Sequence, residues 1–320
     1  MLEKQKSKKN KTINLSKEEI TIFSKNIFYP DLNNIKEFKI DEIINKTINA
    51  DFFKIIDYFP INIFDLIILD PPYNLFKKFD NIKFKELADD KYKEYFELII
   101  KKLSPLIKEN GTIYVCCDWK TSPLIYDVLK KYFIVRNRIT WEREKGRGAK
   151  NNFKNCSEDI WFATKSKNYK FYIDRIKIKR KVIAPYKEKG SPKDWFESEE
   201  GKFRLTHPSN IWFDITVPFW SMPENTPHPT QKPEKLIAKL ILASSDEGDL
   251  VFDPFLGSGT TSVVSKKLKR NYCGIEISKF FCMISEKRLK NAELDSSIQG
   301  YYNGYFLERN CLNILKKIDN

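Results

Sequence analysis

The sequence has few of the residues that build metal centres and disulfide frameworks. It contains two histidines, His207 and His228, and its six cysteines include no Cys-x-x-Cys pair. Both facts argue against a zinc site, because structural zinc is held by closely spaced cysteine and histidine ligands. We therefore expect no metal, and we expect the cysteines to be reduced, mostly buried thiols in a cytoplasmic protein.

Several longer signals are missing as well. No apolar run approaches the roughly 18 residues that a membrane-spanning helix needs, and the basic start MLEKQKSKKNK lacks the apolar segment of a signal peptide. The sequence has neither the Gly-Lys-Ser/Thr of a phosphate-binding loop nor a complete Gly-x-Gly-x-x-Gly. A nucleoside triphosphate and a dinucleotide are therefore disfavoured as cofactors.

Basic charge, by contrast, is in excess. The 320 residues include 57 Lys and Arg against 43 Asp and Glu, a formal net charge of +14. Such a surplus indicates an anionic partner, and nucleic acid is the usual one. The alternative is a proteome bias, because lysine, isoleucine and asparagine are all abundant in the chain.

Alternating strands and helices are predicted over most of the chain. Residues 46–142 and 226–295 combine short apolar runs with helical periodicity, which predicts an α/β domain with a doubly wound, mostly parallel sheet. Residues 143–225 mix prolines, aromatics and charges without a period, which indicates an inserted loop-rich module. Residues 1–45 are expected to form a basic N-terminal arm, and residues 296–320 a C-terminal tail.

Local patterns define some elements of the first half. The almost continuous apolar run Phe64–Leu69 predicts a buried parallel strand. A helix is predicted over about 91–108 from its apolar face, and Asn110-Gly111 predicts a turn before the next strand.

A glycine-containing turn follows an apolar strand late in the chain. Residues 251–261 are Val-Phe-Asp-Pro-Phe-Leu-Gly-Ser-Gly-Thr-Thr, which predicts a strand, a tight turn and a helix that its threonines can cap. Gly257 and Gly259 let the backbone pass close to a ligand. Glu276, at the end of the next strand, can accept both ribose hydroxyls of a nucleoside. The alternative is an ordinary turn, with Glu276 an ordinary charge at a helix N-terminus.

A more specific motif, Asp70-Pro71-Pro72-Tyr73, ends the buried strand Phe64–Leu69. The two prolines make a stiff corner that can direct the Asp70 carboxylate and the Pro71 carbonyl towards one point. Two acceptors at that point suit an exocyclic amine, because they stabilise the charge that develops on its nitrogen during methyl transfer. Tyr73 can stack on a base that has left the duplex. The alternative is a proline-rich strand exit with a buried tyrosine.

Together these motifs resemble the β class of amino-methylating DNA methyltransferases of restriction–modification systems, in which DPPY precedes the glycine loop. The segment 228–233, His-Pro-Thr-Gln-Lys-Pro, resembles the one that contacts the methionine part of the cofactor, and Asn49-Ala50-Asp51 resembles the acidic strand end near its adenine. Residues 141–150 and 221–225 are similar to the RsrI and MboII adenine-N6 methyltransferases in particular. The resemblance covers about residues 46–310.

The resemblance implies a site-specific enzyme that transfers a methyl group from S-adenosyl-L-methionine to adenine N6 of double-stranded DNA. A restriction endonuclease of the same system is an implied functional partner, and the chain is expected to be a monomer or homodimer. The implied catalytic residues are Asp70, Pro71, Pro72 and Tyr73. The implied cofactor-binding residues are Asp51, Thr230, Lys232, Asp253, Pro254, Phe255, Gly257, Ser258, Gly259, Thr260 and Glu276.

Basic and aromatic residues alternate through the module 143–225, which therefore predicts DNA binding. The candidate DNA-binding residues are Arg143, Lys145, Arg147, Lys150, Asn151 and Arg204. Arg147 lies in a segment that we expect to close on the DNA near the flipped base. For the basic run 177–181 the alternative is the solvated edge of a strand, kept charged to prevent further pairing.

Two other functions stay open at the level of sequence. Cytosine-N4 methylation of DNA, or methylation of RNA, would use the same fold, and the Asp at position 70 favours adenine over cytosine. A catalytically inactive DNA-binding protein is the alternative from another class. It would be expected to have lost Asp70, Tyr73 or the Gly257/Gly259 pair, all of which are present.

Overall fold

The computed structural model describes residues 7–75, 77–79, 82–84, 86–143, 150–183, 185–198 and 201–309. The α-helices in these ranges are α1 (Lys17–Ser24), α2 (Ile40–Ile43), α3 (Phe52–Ile55), α4 (Asp89–Leu103), α5 (Ser122–Tyr132), α6 (Glu234–Ser244), α7 (Thr260–Lys267) and α8 (Lys279–Leu294). The strands are β1 (Lys46–Asn49), β2 (Phe64–Leu69), β3 (Lys77–Phe79), β4 (Ile82–Phe84), β5 (Ile107–Cys117), β6 (Ile134–Glu142), β7 (Ser157–Thr164), β8 (Ile178–Lys181), β9 (Lys187–Glu188), β10 (Ser191–Pro192), β11 (Phe196–Ser198), β12 (Gly201–Thr206), β13 (Ile211–Trp212), β14 (Leu250–Asp253), β15 (Asn271–Glu276), β16 (Tyr301–Tyr302) and β17 (Tyr305–Leu307).

Eight strands form the central sheet, in the order β1-β15-β14-β2-β5-β7-β6-β13. The pairs from β1 to β5 are parallel, β7 runs antiparallel to both β5 and β6, and β13 is parallel to β6. The predicted α/β fold with a mostly parallel sheet is therefore confirmed.

Both faces of the sheet are covered, which explains why central strands such as β2 and β14 are mostly apolar. Side chains from β2 alternate between two cores: Ile67 and Leu69 pack with α3, α4 and α5, whereas Leu66 and Ile68 pack with α6. The Phe64 ring stacks on Phe252 of β14, with ring centroids 4.2 Å apart. Strands β2 and β14 are hydrogen-bonded parallel neighbours, although they are far apart in sequence. None of the helices in the described part of the chain is long and apolar enough to cross a membrane.

Two local predictions were wrong. The helix predicted over 91–108 ends at Leu103, and Asn110-Gly111 lies inside β5 and not in a turn before it. The register between β2 and β5 jumps there from Phe64↔Ile107 to Leu66↔Thr112. The residues that the sequence marks as a turn are therefore an irregularity within a long strand.

The predicted module 143–225 is divided between two sheets. Its strands β7 and β13 belong to the central sheet, so the boundary expected at residue 143 cuts through that sheet. A second sheet has the order β11-β12-β8-β17-β16, and it takes β16 and β17 from the segment expected to be a tail. Strand β8 lies between β12 and β17, so the alternative of a solvated strand edge at 177–181 was wrong.

The N-terminal segment is anchored to the domain, in contrast to the predicted loose arm. Helix α1 begins with a capping box at Ser16 and Glu19, and its Phe23 packs against Cys282 and Met283 of α8. Lys287 binds both the Asn14 carbonyl oxygen and the Glu19 carboxylate. The prediction of a loose arm did not anticipate the buried Phe23 ring or the ion pair between Glu19 and Lys287.

Candidate active site

Four sequence motifs meet at one edge of the central sheet. Asp51 follows β1, Glu276 ends β15, Asp253 ends β14 and Asp70 follows β2, and these four strands are consecutive parallel neighbours. The carboxyl ends of parallel strands lie at the same edge of a sheet, where α/β proteins bind their ligands. Topology therefore brings together motifs that are up to about 225 residues apart in the chain.

A single cleft at this edge contains the tetrad and the glycine loop. Its walls include residues 70–73, Phe255 and Gly257 of the loop, and Glu276. Thr230 and Lys232 line it from the segment that precedes α6. The structure thus places the predicted catalytic residues and five of the predicted cofactor-binding residues around the same space.

Asp70 is fixed by a buried cation. The Nζ atom of Lys232 lies 2.6 Å from Oδ2 of Asp70, and the Lys232 side chain is 7% exposed. Burial alone would lower the pKa of Lys232, but the negative charges of Asp70 and Glu158 outweigh burial and raise it above the usual value. Lys232 is therefore a cation beside the tetrad, and it also lines the cleft.

Tyr73 is held at its ring and at its hydroxyl. Lys232 Nζ lies 5.3 Å from the ring centroid, and the hydroxyl donates to Oε2 of Glu158 at 3.2 Å. Burial, followed by the charges of Asp70 and Glu158, raises the pKa of Tyr73 well above its usual value. The phenol consequently stays protonated and acts as a donor.

The proline corner is held by hydrogen bonds from α4 and from the residues just before that helix. The Tyr92 hydroxyl donates to the Pro72 carbonyl oxygen at 3.2 Å. Asn74 exchanges two hydrogen bonds with the Leu87 backbone, at 2.7 and 2.8 Å. These contacts fix the chain on leaving β2, which a functional group aimed at a reacting atom requires.

The glycine loop has a backbone that other residues would not adopt readily. Gly257 and Gly259 have φ values of +56° and +85°, in the region that favours glycine. A Cβ atom on Gly259 would lie 2.1 Å from the Ser285 Oγ atom, so α8 packs directly on the loop. Gly259 also caps α7, whereas the predicted capping by Thr260 or Thr261 was wrong.

Two carboxylates at this end of the cleft are held by neutral donors. Glu276 accepts from the backbone N–H groups of Gly257 (2.8 Å) and Ser278 (2.7 Å). Asp253 accepts from the Phe255 N–H and the Thr261 hydroxyl. Burial raises the pKa of each acid to about 7. Glu276 faces the cleft and can accept hydroxyl groups there, whereas Asp253 holds the loop.

The remaining cofactor candidates have mainly structural contacts. Asp51 caps α3 through the Phe53 N–H, at 2.9 Å, and the Ala50 N–H donates to the Glu276 carbonyl oxygen. Ser258 and Thr260 both accept from the buried Arg288 guanidinium, and Pro254 lies in the buried turn after β14.

The described candidate DNA-binding residues lie on different elements. Arg143 forms an ion pair with Glu158, and Lys150 and Asn151 are exposed beyond it. Arg204 lies on β12 of the second sheet, 3.4 Å from Asp194. Lys145 and Arg147 lie outside the described residues.

Sequence patterns missed Glu158, which contacts three groups of the site. Strand β7 contributes this carboxylate, and the local signal was an acidic pair, Glu158-Asp159, directly before the apolar residues 160–163. Buried carboxylates are rare unless they are paired, so that pair was a usable signal.

Known proteins share this architecture and these motifs. A family model described as DNA methylase matches residues 64–287. The type II methyltransferase M.HpaI of Haemophilus parainfluenzae is 35% identical over 75% of this chain and 71% of its own length. The DNA adenine methyltransferase YhdJ of Escherichia coli (strain K12) is 32% identical over 72% of this chain and 77% of its own.

A solved structure agrees with the sequence matches. The M1.HpyAVI–SAM complex superposes with a TM-score of 0.50 at 28% identity, over 76% of this chain and 98% of that one. The family match begins at β2, before the tetrad, and continues past the glycine loop into α8, so it includes both halves of the cleft. With its two motifs on neighbouring strands and this match across them, the chain belongs to the N6/N4 DNA methylase family.

Proposed function

We propose that the chain methylates N6 of adenine within a specific sequence of double-stranded DNA, with S-adenosyl-L-methionine as the methyl donor. The observation that carries the proposal is the position of Asp70-Pro71-Pro72-Tyr73 in the same cleft as Gly257 and Glu276. An amino group on the tetrad and a nucleoside-containing cofactor on the loop would then lie side by side.

The residues of the tetrad would hold the base and its amine. Asp70 and the Pro71 carbonyl accept hydrogen bonds from the amine, which stabilises the positive charge that develops on its nitrogen. The Tyr73 ring stacks on the base, which has to leave the duplex before it can reach the tetrad. Orientation of this kind accounts for about 7–11 kcal/mol in well-aligned reactions.

The other half of the cleft fits the cofactor. Glu276 would accept the ribose hydroxyls, Gly257 would let the backbone approach, and Phe255 would provide an apolar wall. Thr230 and Lys232 would approach the amino-acid end of the cofactor from the segment before α6. S-adenosyl-L-methionine supplies an activated methyl group that needs no metal.

DNA binding is proposed for the module 143–225 together with the second sheet. Its support is the net charge of +14 and the exposure of Lys150, Asn151 and Arg204, because basic side chains neutralise phosphates. A cytoplasmic location fits the five described cysteines, which are all free thiols. A cognate restriction endonuclease and a monomeric or homodimeric state complete the proposal.

The test is methyl transfer from labelled S-adenosyl-L-methionine to unmethylated bacterial DNA, with the product nucleosides identified by mass spectrometry. We expect N6-methyladenine. N4-methylcytosine would contradict the choice of base, and label in RNA but not in DNA would contradict the choice of substrate.

A further inference from the structure

Glu158 links the catalytic tetrad to the antiparallel half of the central sheet. It lies on β7, where it pairs in register with Trp141 of β6, and it is 6% exposed. A carboxylate with so little access to water is stable only if it is paired and hydrogen-bonded.

Three groups surround this carboxylate. Oε2 accepts from the Tyr73 hydroxyl at 3.2 Å and lies 3.4 Å from Lys232 Nζ. Oε1 binds the Arg143 guanidinium. Glu158 therefore contacts one residue of the tetrad directly and a second, Asp70, through the lysine that they share.

The charges of this group balance. Asp70 and Glu158 are acidic, whereas Lys232 and Arg143 are basic, so two negative charges face two positive ones. Lys232 has three N–H donors, and it is closer to Asp70 (2.6 Å) than to Glu158 (3.4 Å). If Glu158 lost its charge, Asp70 would be the main counter-ion of a buried ammonium and would be bound more tightly by it.

We propose that Glu158 is a positioning residue for the tetrad: it orients the Tyr73 hydroxyl and shares Lys232 with Asp70, so that the Asp70 carboxylate can accept the adenine amine. This inference rests on the proposed function, because the adenine amine and Lys232 would compete as donors for the Asp70 carboxylate. Glu158 itself need not touch the base.

Glu158→Gln tests the idea with little change in shape. The amide oxygen can still accept from Tyr73, but the negative charge is gone. We expect the single-turnover rate of adenine methylation, at saturating cofactor and DNA, to fall about 10- to 100-fold, the range that a small misplacement of a reacting group produces. The affinity for S-adenosyl-L-methionine, measured by calorimetry, should be unchanged.

The neighbouring residue on the same strand is a matched control. Asp159 is also buried, and it accepts from Ser122 (2.7 Å) and Thr140 (2.8 Å), away from the tetrad. Asp159→Asn should lower the thermal midpoint at least as much as Glu158→Gln but leave the single-turnover rate unchanged. Equal losses of rate in the two variants would indicate general destabilisation and overturn the proposal.

Tyr73→Phe separates positioning from folding. It removes the hydroxyl that donates to Glu158 but keeps the ring. If the two residues act together, the double variant should lose less rate than the product of the losses in Glu158→Gln and Tyr73→Phe. If Glu158→Gln does not fold, a lower rate in a stably folded Tyr73→Phe protein still supports the role, and an unchanged rate rejects it.

The activity of the wild-type protein distinguishes failure of the proposed function from failure of the positioning role of Glu158. Wild-type protein that does not methylate adenine in DNA would reject the proposed function itself. Normal wild-type methylation together with an unaffected Glu158→Gln variant would reject only the positioning role.

Discussion

The two halves of the cleft hold their carboxylates in different ways. In the half around the tetrad, which we propose to be catalytic and call the catalytic half, Asp70 and Glu158 face the cationic groups of Lys232 and Arg143. In the half around the glycine loop, which we propose to bind the cofactor and call the cofactor half, Glu276 accepts from two backbone N–H groups, and burial raises its pKa to about 7. The acids in and beside the tetrad therefore face positive charges, whereas Glu276 faces neutral backbone donors.

This contrast matches the chemistry proposed for each half. A developing positive charge on an amine is stabilised best by an acceptor that is already ionised and oriented. A ribose hydroxyl is a neutral donor, and a carboxylate that becomes ionised near neutral pH can bind it. The first half is therefore expected to respond to mutation mainly in rate, and the second mainly in cofactor affinity.

The largest effect should come from Asp70→Ala, which breaks the catalytic half alone. Loss of one preorganised acceptor should lower kcat by about 10²–10³-fold, with cofactor affinity nearly unchanged. Steady-state kinetics on unmethylated DNA and calorimetry with the cofactor provide the two measurements. Asp70→Asn, which keeps an acceptor oxygen beside Lys232, is the control and should retain more activity than the alanine variant. Full activity in Asp70→Ala would refute the catalytic assignment.

Gly259→Ala should have the next largest effect, and it acts on the cofactor half through packing. The new Cβ atom would meet Ser285 of α8, and overpacking of this kind costs about 1–3 kcal/mol, in addition to about 1–2 kcal/mol for the left-handed backbone. Urea denaturation should therefore give a free energy of unfolding lower by the sum of both costs.

Gly248→Ala is the matched control for this variant. Gly248 has a φ of +84°, close to the +85° of Gly259, but nothing lies within 4 Å of its Cβ position. It should lose only the backbone contribution. Equal losses of unfolding free energy at the two glycines would show that contact with α8 does not constrain the loop.

These sites also differ in how far the sequence predicts them. The DPPY corner and the glycine loop were predictable because proline fixes the local backbone and glycine allows conformations that other residues avoid. Both also follow strands that are mostly apolar. Neither inference needed a tertiary pairing. The direct pairing of β2 with β14, in contrast, was not predicted and is known from the structure.

The role of Glu158, in contrast, could not be predicted from the sequence. The acidic pair Glu158-Asp159 could signal a buried, paired carboxylate, but its partners could not be predicted, because they depend on the long-range insertion of β7 between β5 and β6. The sequence instead indicated a separate module beginning at residue 143. Similarly, Phe23 is the single buried residue of α1, so this helix has too short an apolar face to distinguish it from a polar arm.

The smallest expected effect is a pH dependence confined to the cofactor half. Glu276 is protonated below about pH 7, and only its ionised form accepts two hydroxyl hydrogens well. Affinity for S-adenosyl-L-methionine should therefore rise as pH increases from about 6 to 8, by at most about tenfold per pH unit below the pKa. Calorimetric titrations across this range measure the effect.

Two variants assign this pH dependence to one of the two acids in the cofactor half. Glu276→Gln should bind the cofactor more weakly and with a flatter pH dependence, because the amide does not titrate. Asp253→Asn should keep the slope, since Asp253 contacts the loop through Phe255 and Thr261, even though burial also raises its pKa to about 7. A slope that survives in Glu276→Gln and disappears in Asp253→Asn would mean that the loop, and not the hydroxyl acceptor, responds to protonation. In that case protonation would affect cofactor binding through the glycine loop, and the charge of Glu276 would not control it.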